Sequence, residues 1–121
     1  MAITSTTIQD GERLAVLRFT NDGDAESAVV KVDVSALSPV PTKVSILKCD
    51  YSVADQDVQV FFVADADVLA MTLPANMSDQ LDFSSTGALP NNAGSGVTGD
   101  IAFTCDANAE YMVTLTVLKV F

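Results

Sequence analysis

The sequence predicts an all-β protein, folded as a single-domain antiparallel β-sandwich or jelly-roll-like barrel of about eight strands. Apolar residues recur at every second position in most segments, which is the pattern of strands that bury one face. These runs are rich in Val, Ile, Thr and Phe, and turn residues separate them at intervals of roughly eight to twelve residues. The length of 121 residues suits one domain, so we expect residues 1–121 to share one hydrophobic core.

The first third of the chain contains three predicted strands. Residues 1–10 are polar and Thr-rich and end at a turn dipeptide, Asp10-Gly11, so they are predicted to form an edge strand or an N-terminal arm. Residues 12–20 have apolar side chains on both faces, which predicts a central strand. The turn residues 21–24 and the alternating run 28–34 predict that this strand and the next one form a hairpin.

Proline and glycine mark the connections in the rest of the chain. Residues 35–41 include two prolines, which cannot donate to a strand ladder, so this segment is predicted to cross between sheets. An alternating run then follows at 43–51. The runs 58–63 and 68–73 have hairpin spacing, and Pro74 ends the second of them.

The last third contains the longest predicted loop, residues 84–99, in which Gly, Asn and Ser are abundant. Two further alternating runs, 101–105 and 111–121, complete the predicted strands. No segment repeats at a fixed period, which argues against propellers and solenoids.

The charge balance limits the classes of partner. Sixteen acidic and six basic residues give a formal charge of −10, which repels phosphate backbones and anionic lipid headgroups. We therefore expect neither nucleic acid nor membrane as a partner, and the apolar runs are too short for a membrane span. The first seven residues lack the basic and apolar regions of a secretory signal, so synthesis in the cytosol is expected.

The sequence offers little catalytic chemistry. Histidine is absent, which removes the commonest general base and a principal metal ligand. The aspartate pairs 22/24, 55/57 and 65/67 fall in predicted turns, where Asp is common because it bonds its own backbone. The glycine-rich segment 91–99 has no following lysine or helix to bind phosphate. We predict a protein that is not an enzyme, without catalytic residues, cofactor or metal.

The two cysteines, Cys49 and Cys105, are far apart in sequence and do not form a CxxC motif. Two buried free thiols that pack as small hydrophobic groups are the favoured interpretation. The alternative is a disulfide formed after cell lysis.

Four segments resemble small virion proteins of tailed bacteriophages, in particular capsid decoration or cement proteins. They are Thr6 to Arg18, Ser27 to Leu37 (SAVVKVDVSAL), Ala64 to Phe83 and Asn91 to Ile101 (NNAGSGVTGDI). The resemblance implies a structural protein on the capsid surface of a virion, made in the cytoplasm of the bacterial host. It implies the major capsid protein as partner, together with a homotrimer that contacts capsid subunits through an edge strand or arm.

Two groups of residues are the predicted partner contacts. They lie near the N-terminus and in the long loop: Ile3, Thr7, Ile8 and Arg13, and Asn91, Asn92 and Ser95. Two alternatives stay open: a tail or neck component of the virion, and a carbohydrate-binding sandwich for host attachment. The absence of Trp and the presence of only two Tyr argue against the carbohydrate site, which needs aromatic platforms.

Overall fold

A computed structural model describes residues 3–89 and 99–120, which form nine strands joined by turns and two short 3-10 helices. The strands are β1 (Ile3–Asp10), β2 (Leu14–Asp22), β3 (Glu26–Val32), β4 (Lys43–Ala54), β5 (Val58–Phe62), β6 (Val68–Leu73), β7 (Met77–Asp82), β8 (Ile101–Cys105) and β9 (Glu110–Val120). The 3-10 helices are Val34–Ala36 and Ser84–Thr86.

The strands form two antiparallel sheets. The five-stranded sheet has the order β1-β2-β9-β4-β7, and the four-stranded sheet has the order β3-β8-β5-β6. Without β1, each sheet has four strands in the order of an eight-stranded jelly roll, a fold built from two Greek keys. The predicted all-β sandwich or jelly roll is confirmed.

The core lies between the two sheets and consists of their inward-facing side chains. On β9 the alternation is regular, with Tyr111, Val113, Leu115 and Val117 buried and their neighbours more exposed. The ring of Phe103 packs edge-on against Phe19 at 5.4 Å between ring centroids. Such apolar contacts between the sheets supply most of the stabilisation of a sandwich.

The predicted hairpin between β2 and β3 is wrong. β2 pairs with β1 and β9, whereas β3 belongs to the other sheet and pairs with β8. The intervening turn is fixed by the β8–β9 turn instead: Gly23 N donates to the carbonyl of Ala109, and Asn108 N donates to the carbonyl of Gly23. The turn residues therefore carry the chain from one sheet to the other.

The predicted alternation on β3 is also wrong. Pairing with β8 is irregular at two places, between Glu26 and Val29 and between Val30 and Val32. Each irregularity adds a residue and changes which face the following side chains take. As a result Val29 and Val30 are 39% and 46% exposed, while Lys31 is buried.

Other predicted connections agree with the structure. Residues 35–41 do cross from the four-stranded to the five-stranded sheet, β5 and β6 form the expected hairpin, and β6 ends before Pro74. The central position of β2 is confirmed, but only one of its faces is covered, since Leu14 and Arg18 are exposed. β7 was not predicted as a strand, because most of its residues are exposed and polar.

Candidate protein-binding edge

β1 forms one edge of the five-stranded sheet. Its residues pair with β2 on one side, and in the described part of the chain no strand pairs with its other side. Every residue from Thr4 to Asp10 is exposed. Backbone N–H and C=O groups on such an edge are available to bind an added strand.

β1 also extends beyond the four-stranded sheet. Ser5 pairs with Phe19 and Thr7 pairs with Leu17, and directly paired residues face the same side of a sheet. Phe19 and Leu17 are buried, yet Ser5 and Thr7 are exposed. Both faces of β1 are therefore accessible to a partner.

The register of β1 changes once. Thr7 pairs with Leu17 and Gln9 pairs with Val16, so Ile8 is an extra residue at a β-bulge. Its side chain is 48% exposed. From Ile3 to Thr7 the pairing is unbroken, and residues 3–9 include no charged side chain.

A buried lysine holds the end of β1 in place. Lys119 Nζ donates to Asp10 Oδ1 and to the carbonyl of Gly11, both at 2.6 Å, and to the carbonyl of Ser38 at 3.0 Å. Ser38 N donates to the other Asp10 oxygen at 2.9 Å. The hydrogen bond from Lys119, with that from Ser38, lowers the pKa of the Asp10 carboxyl below its ordinary value.

An open groove of about 740 Å³ lies beside this anchor. Acidic, basic and apolar side chains line this groove. The lining residues are Glu12, Arg13, Ser38, Pro39, Leu118 and Lys119. Arg13 is exposed in the turn between β1 and β2. An exposed guanidinium of this kind is able to pair with a carboxylate.

Four of the predicted contact residues lie on one structural unit, the β1–β2 hairpin. Ile3 pairs with Asn21 at one end, Thr7 and Ile8 lie in the middle of β1, and Arg13 is in the turn. Asn91, Asn92 and Ser95 lie outside the described residues. The structure thus places three of these predicted contact residues along the eight-residue strand β1 and the fourth in the turn that follows it.

The other sheet edges are less suited to strand addition. β7 has Asp79 and Asp82, and charges on an edge oppose pairing with another strand. β3 has two irregularities, and its Lys31 points inward. β6 is uncharged, but its pairing with β5 shifts at Ala70, which leaves a shorter regular run than that of β1.

Sequence reasoning missed a cluster of polar side chains inside the sandwich. The buried polar cluster consists of Asn21, Glu26, Lys31, Cys105 and Tyr111. Lys31 Nζ forms an ion pair with Glu26 Oε2, and both side chains are almost fully buried. The regular alternation expected for β3 placed Lys31 in solvent, and only the bulges direct it inward.

Glu26 is the centre of this cluster. Its Oε1 accepts a hydrogen bond from the Tyr111 hydroxyl and another from Asn21 Nδ2 at 3.2 Å. Its Oε2 has the Lys31 ammonium as partner and no other hydrogen bond in the described part of the protein. Burial, together with the hydrogen bond to Glu26, raises the pKa of Tyr111 above its ordinary value.

Both cysteines are free and buried, in agreement with the favoured interpretation. Cys49 is on the five-stranded sheet and Cys105 is on the four-stranded sheet. Burial, with a smaller contribution from Asp50, raises the pKa of Cys49 to about 12. The pKa of Cys105 is raised by burial and by the negative charge of Glu26. Both groups are therefore protonated thiols at neutral pH, a form with low reactivity.

Aspartates in the turns bind backbone N–H groups. Asp57 accepts a hydrogen bond from Ala75 N at 2.7 Å, and Asp67 accepts one from Ala64 N at 3.0 Å. Over residues 3–89 and 99–120, no three acidic or cysteine side chains converge as a metal site would require. The same ranges contain no helix of the length and apolar character needed to cross a bilayer.

Comparison with known proteins does not assign this chain to a family. No family model and no curated protein matches the chain. Among solved structures, an RmlC-like cupin protein from Desulfovibrio desulfuricans matches with a TM-score of 0.44 and 10% identity, over 98% of this chain and 84% of that one. A cupin superfamily protein from Desulfitobacterium hafniense matches with a TM-score of 0.40 and 11% identity, over 99% and 79% of the two chains. Likeness of this degree carries no information about activity.

Proposed function

We propose that this chain is a non-enzymatic structural protein of a phage virion, which binds the outer surface of the capsid. The observation that carries the proposal is the β1 edge, an exposed strand that has no charged residue before Asp10 and whose outer side is unpaired among the described residues. The resemblance to decoration proteins supplies the identity of the partner, the major capsid protein. A homotrimer at the capsid surface is part of the same proposal.

In this mechanism a strand of the capsid protein pairs with β1 and extends the five-stranded sheet. Main-chain hydrogen bonds provide affinity, and the exposed Ile8 side chain and the Arg13 guanidinium provide selectivity. The β1–β2 hairpin is held in position for this contact, because Lys119 donates hydrogen bonds both to Asp10 at the end of β1 and to the carbonyl of Ser38. Many copies on one shell strengthen the attachment through avidity.

Co-sedimentation with separated virion parts tests the proposal. Shells lacking the protein and tails are purified from the phage that encodes the chain, and each is mixed with the purified protein. We expect the protein to pellet with shells, and its solution mass to be that of a trimer. Pelleting with tails only would replace the proposal by the tail or neck alternative, and pelleting with neither would overturn it.

A charged substitution on the edge tests the role of β1. Thr6→Lys places an ammonium in the uncharged part of this strand, residues 3–9, and edge lysines oppose strand pairing. We expect shell binding to fall at least tenfold, about 1.4 kcal/mol. The matched control is Ser78→Lys on β7, the opposite edge of the same sheet, which should bind as the unmodified protein does. Equal loss in both variants would exclude β1 as the specific contact.

Deletion of residues 2–8 provides a second test. It leaves Asp10 in place, so the contact with Lys119 is retained, and it leaves the eight strands of the jelly roll. We expect a folded protein that no longer binds shells. Unchanged binding by the truncated protein would contradict the assignment of the edge.

A further inference from the structure

The buried polar cluster has the components of a reaction between two of its own side chains. We propose that Lys31 and Asn21 form an intramolecular amide bond, catalysed by Glu26, with release of ammonia. The proposal is independent of the proposed function, since it concerns groups inside the sandwich and no partner.

The amine of Lys31 and the carboxamide of Asn21 both contact the carboxylate of Glu26. Lys31 Nζ is paired with Glu26 Oε2, and Asn21 Nδ2 donates to Glu26 Oε1 at 3.2 Å. All three residues are buried, with 8%, 4% and 3% of Lys31, Asn21 and Glu26 exposed. Both groups therefore lie against the same buried carboxylate, in an interior that excludes water.

The nitrogen of Lys31 lies beside a cluster of aromatic rings. Lys31 Nζ lies 5.9 Å from the centroid of the Phe103 ring, and this ring packs against Phe19 and Tyr111. The first step of the proposed reaction is a proton transfer from Lys31 Nζ to Glu26, its ion-pair partner. The product is a neutral amine, which is the nucleophilic form of lysine.

The carboxamide of Asn21 is polarised and oriented by the turn that follows β2. Its Oδ1 accepts a hydrogen bond from Asp24 N at 2.8 Å, and its Nδ2 donates to the Asp24 carbonyl at 2.7 Å. When the amine attacks Cγ, negative charge develops on Oδ1. The Asp24 N–H is already in place to stabilise that charge, as in an oxyanion hole.

The steps balance without an added reactant. The lone pair of Lys31 Nζ forms a bond to Asn21 Cγ, and the carbonyl electrons move to Oδ1. Glu26, which holds the proton taken from Lys31, delivers it to Nδ2, and the Cγ–Nδ2 bond breaks. Nζ loses its remaining extra proton, and the departing ammonia leaves as ammonium with Glu26 ionised again. The new amide joins the end of β2 to β3, and so links the two sheets covalently.

Intact mass spectrometry of the purified full-length chain tests the proposal. We expect a mass below that of the sequence by one ammonia, about 17 Da. Digestion with trypsin should then give one looped peptide, residues 19–43, which contains both Asn21 and Lys31, because trypsin does not cleave after an acylated lysine and no other Lys or Arg lies between residues 19 and 42. A wild-type mass equal to the sequence mass would overturn the proposal, as would a loss of ammonia located at another residue.

Three variants assign the roles. Lys31→Arg retains the positive charge but supplies no amine, and Glu26→Ala removes the proton carrier. Both should have the full sequence mass, while Lys48→Arg, a matched control on β4, should lose ammonia as the wild type does. Circular dichroism verifies that each variant is folded. Retention of the mass loss in a folded Lys31→Arg protein would exclude Lys31 as the nucleophile.

Discussion

The edge strands β1 and β3 belong to different sheets and differ in where their charged side chains lie. β1 has no charged residue before Asp10, and all its described side chains from Thr4 onward are exposed. β3 has charged residues, Glu26 and Lys31, but directs both inward and exposes Val29 and Val30 instead. Its two irregularities and inward charges are devices that prevent an edge from pairing with other strands.

This difference indicates a division of roles. β3 closes one sheet and contributes its charges to the interior, where they are held in a fixed geometry. β1 pairs with β2 along its length, is anchored at its end through Asp10 and Lys119, and has no strand on its outer side within residues 3–89 and 99–120. β1 is regular from Ile3 to Thr7 and has one bulge, at Ile8, whereas β3 has two irregularities in seven residues, so β1 is the edge better suited to strand pairing.

The largest expected effect on stability comes from the buried Lys31–Glu26 pair of β3. Lys31→Met leaves the Glu26 carboxylate buried beside an apolar side chain and also removes the proposed amide bond to Asn21, and we expect it to lower the free energy of unfolding by at least about 3–5 kcal/mol. Urea denaturation measures the change. Glu26→Leu combined with Lys31→Met should be more stable than Lys31→Met alone, because no unpaired charge remains. A single variant within about 1 kcal/mol of the wild type would show that the pair is not a closed buried unit.

A smaller effect is expected where β1 is anchored. Lys119→Met removes the donor to Asp10, Gly11 and Ser38, and we expect a loss of about 2 kcal/mol, since Asp10 is still able to contact water. Denaturant unfolding measures it, with Lys48→Met as control. Shell binding should also weaken, because the end of β1 is released. Normal stability together with normal binding would contradict the anchoring role.

The charge of Asp10 gives a pH-dependent effect. Its pKa is lowered in the folded protein, so its contribution is fully present above the unfolded pKa and is lost as pH falls through the folded pKa. At neutral pH, Asp10→Asn should be less stable by about 1 kcal/mol, a value that allows for partial exposure. The gap between the two proteins should close as the solution is acidified. A gap that stays constant down to acid pH would exclude the carboxylate charge as the cause.

The smallest effect distinguishes neighbouring valines on β3. Val30→Thr replaces an exposed side chain, and we expect a change below about 0.5 kcal/mol. Val32→Thr, the matched control, buries a hydroxyl at a fully enclosed position and should cost about 1–3 kcal/mol. Thermal unfolding of both variants measures the difference. Equal costs would contradict the bulge between these two residues.

Part of the binding edge was also accessible to sequence reasoning. A polar, Thr-rich segment that ends at Asp10-Gly11 predicted an edge strand or arm, and the structure has β1 at a sheet edge. The groove beside Arg13 could not be predicted, because it requires Ser38 and Lys119, which lie far away in sequence. The buried polar cluster was missed for the same reason, since its members come from β2, β3, β8 and β9.

By itself, the sequence determined the all-β class, most strand positions, the crossover at residues 35–41 and the burial of the two thiols. These features follow from local periodicity and from residues that end strands, both of which are readable along the chain. Only the tertiary structure decided that β2 and β3 lie in different sheets and that Glu26 and Lys31 face inward. The physical reason is that strand pairing and bulges depend on the partner strand, so a one-residue shift against β8 reverses which side chains enter the core.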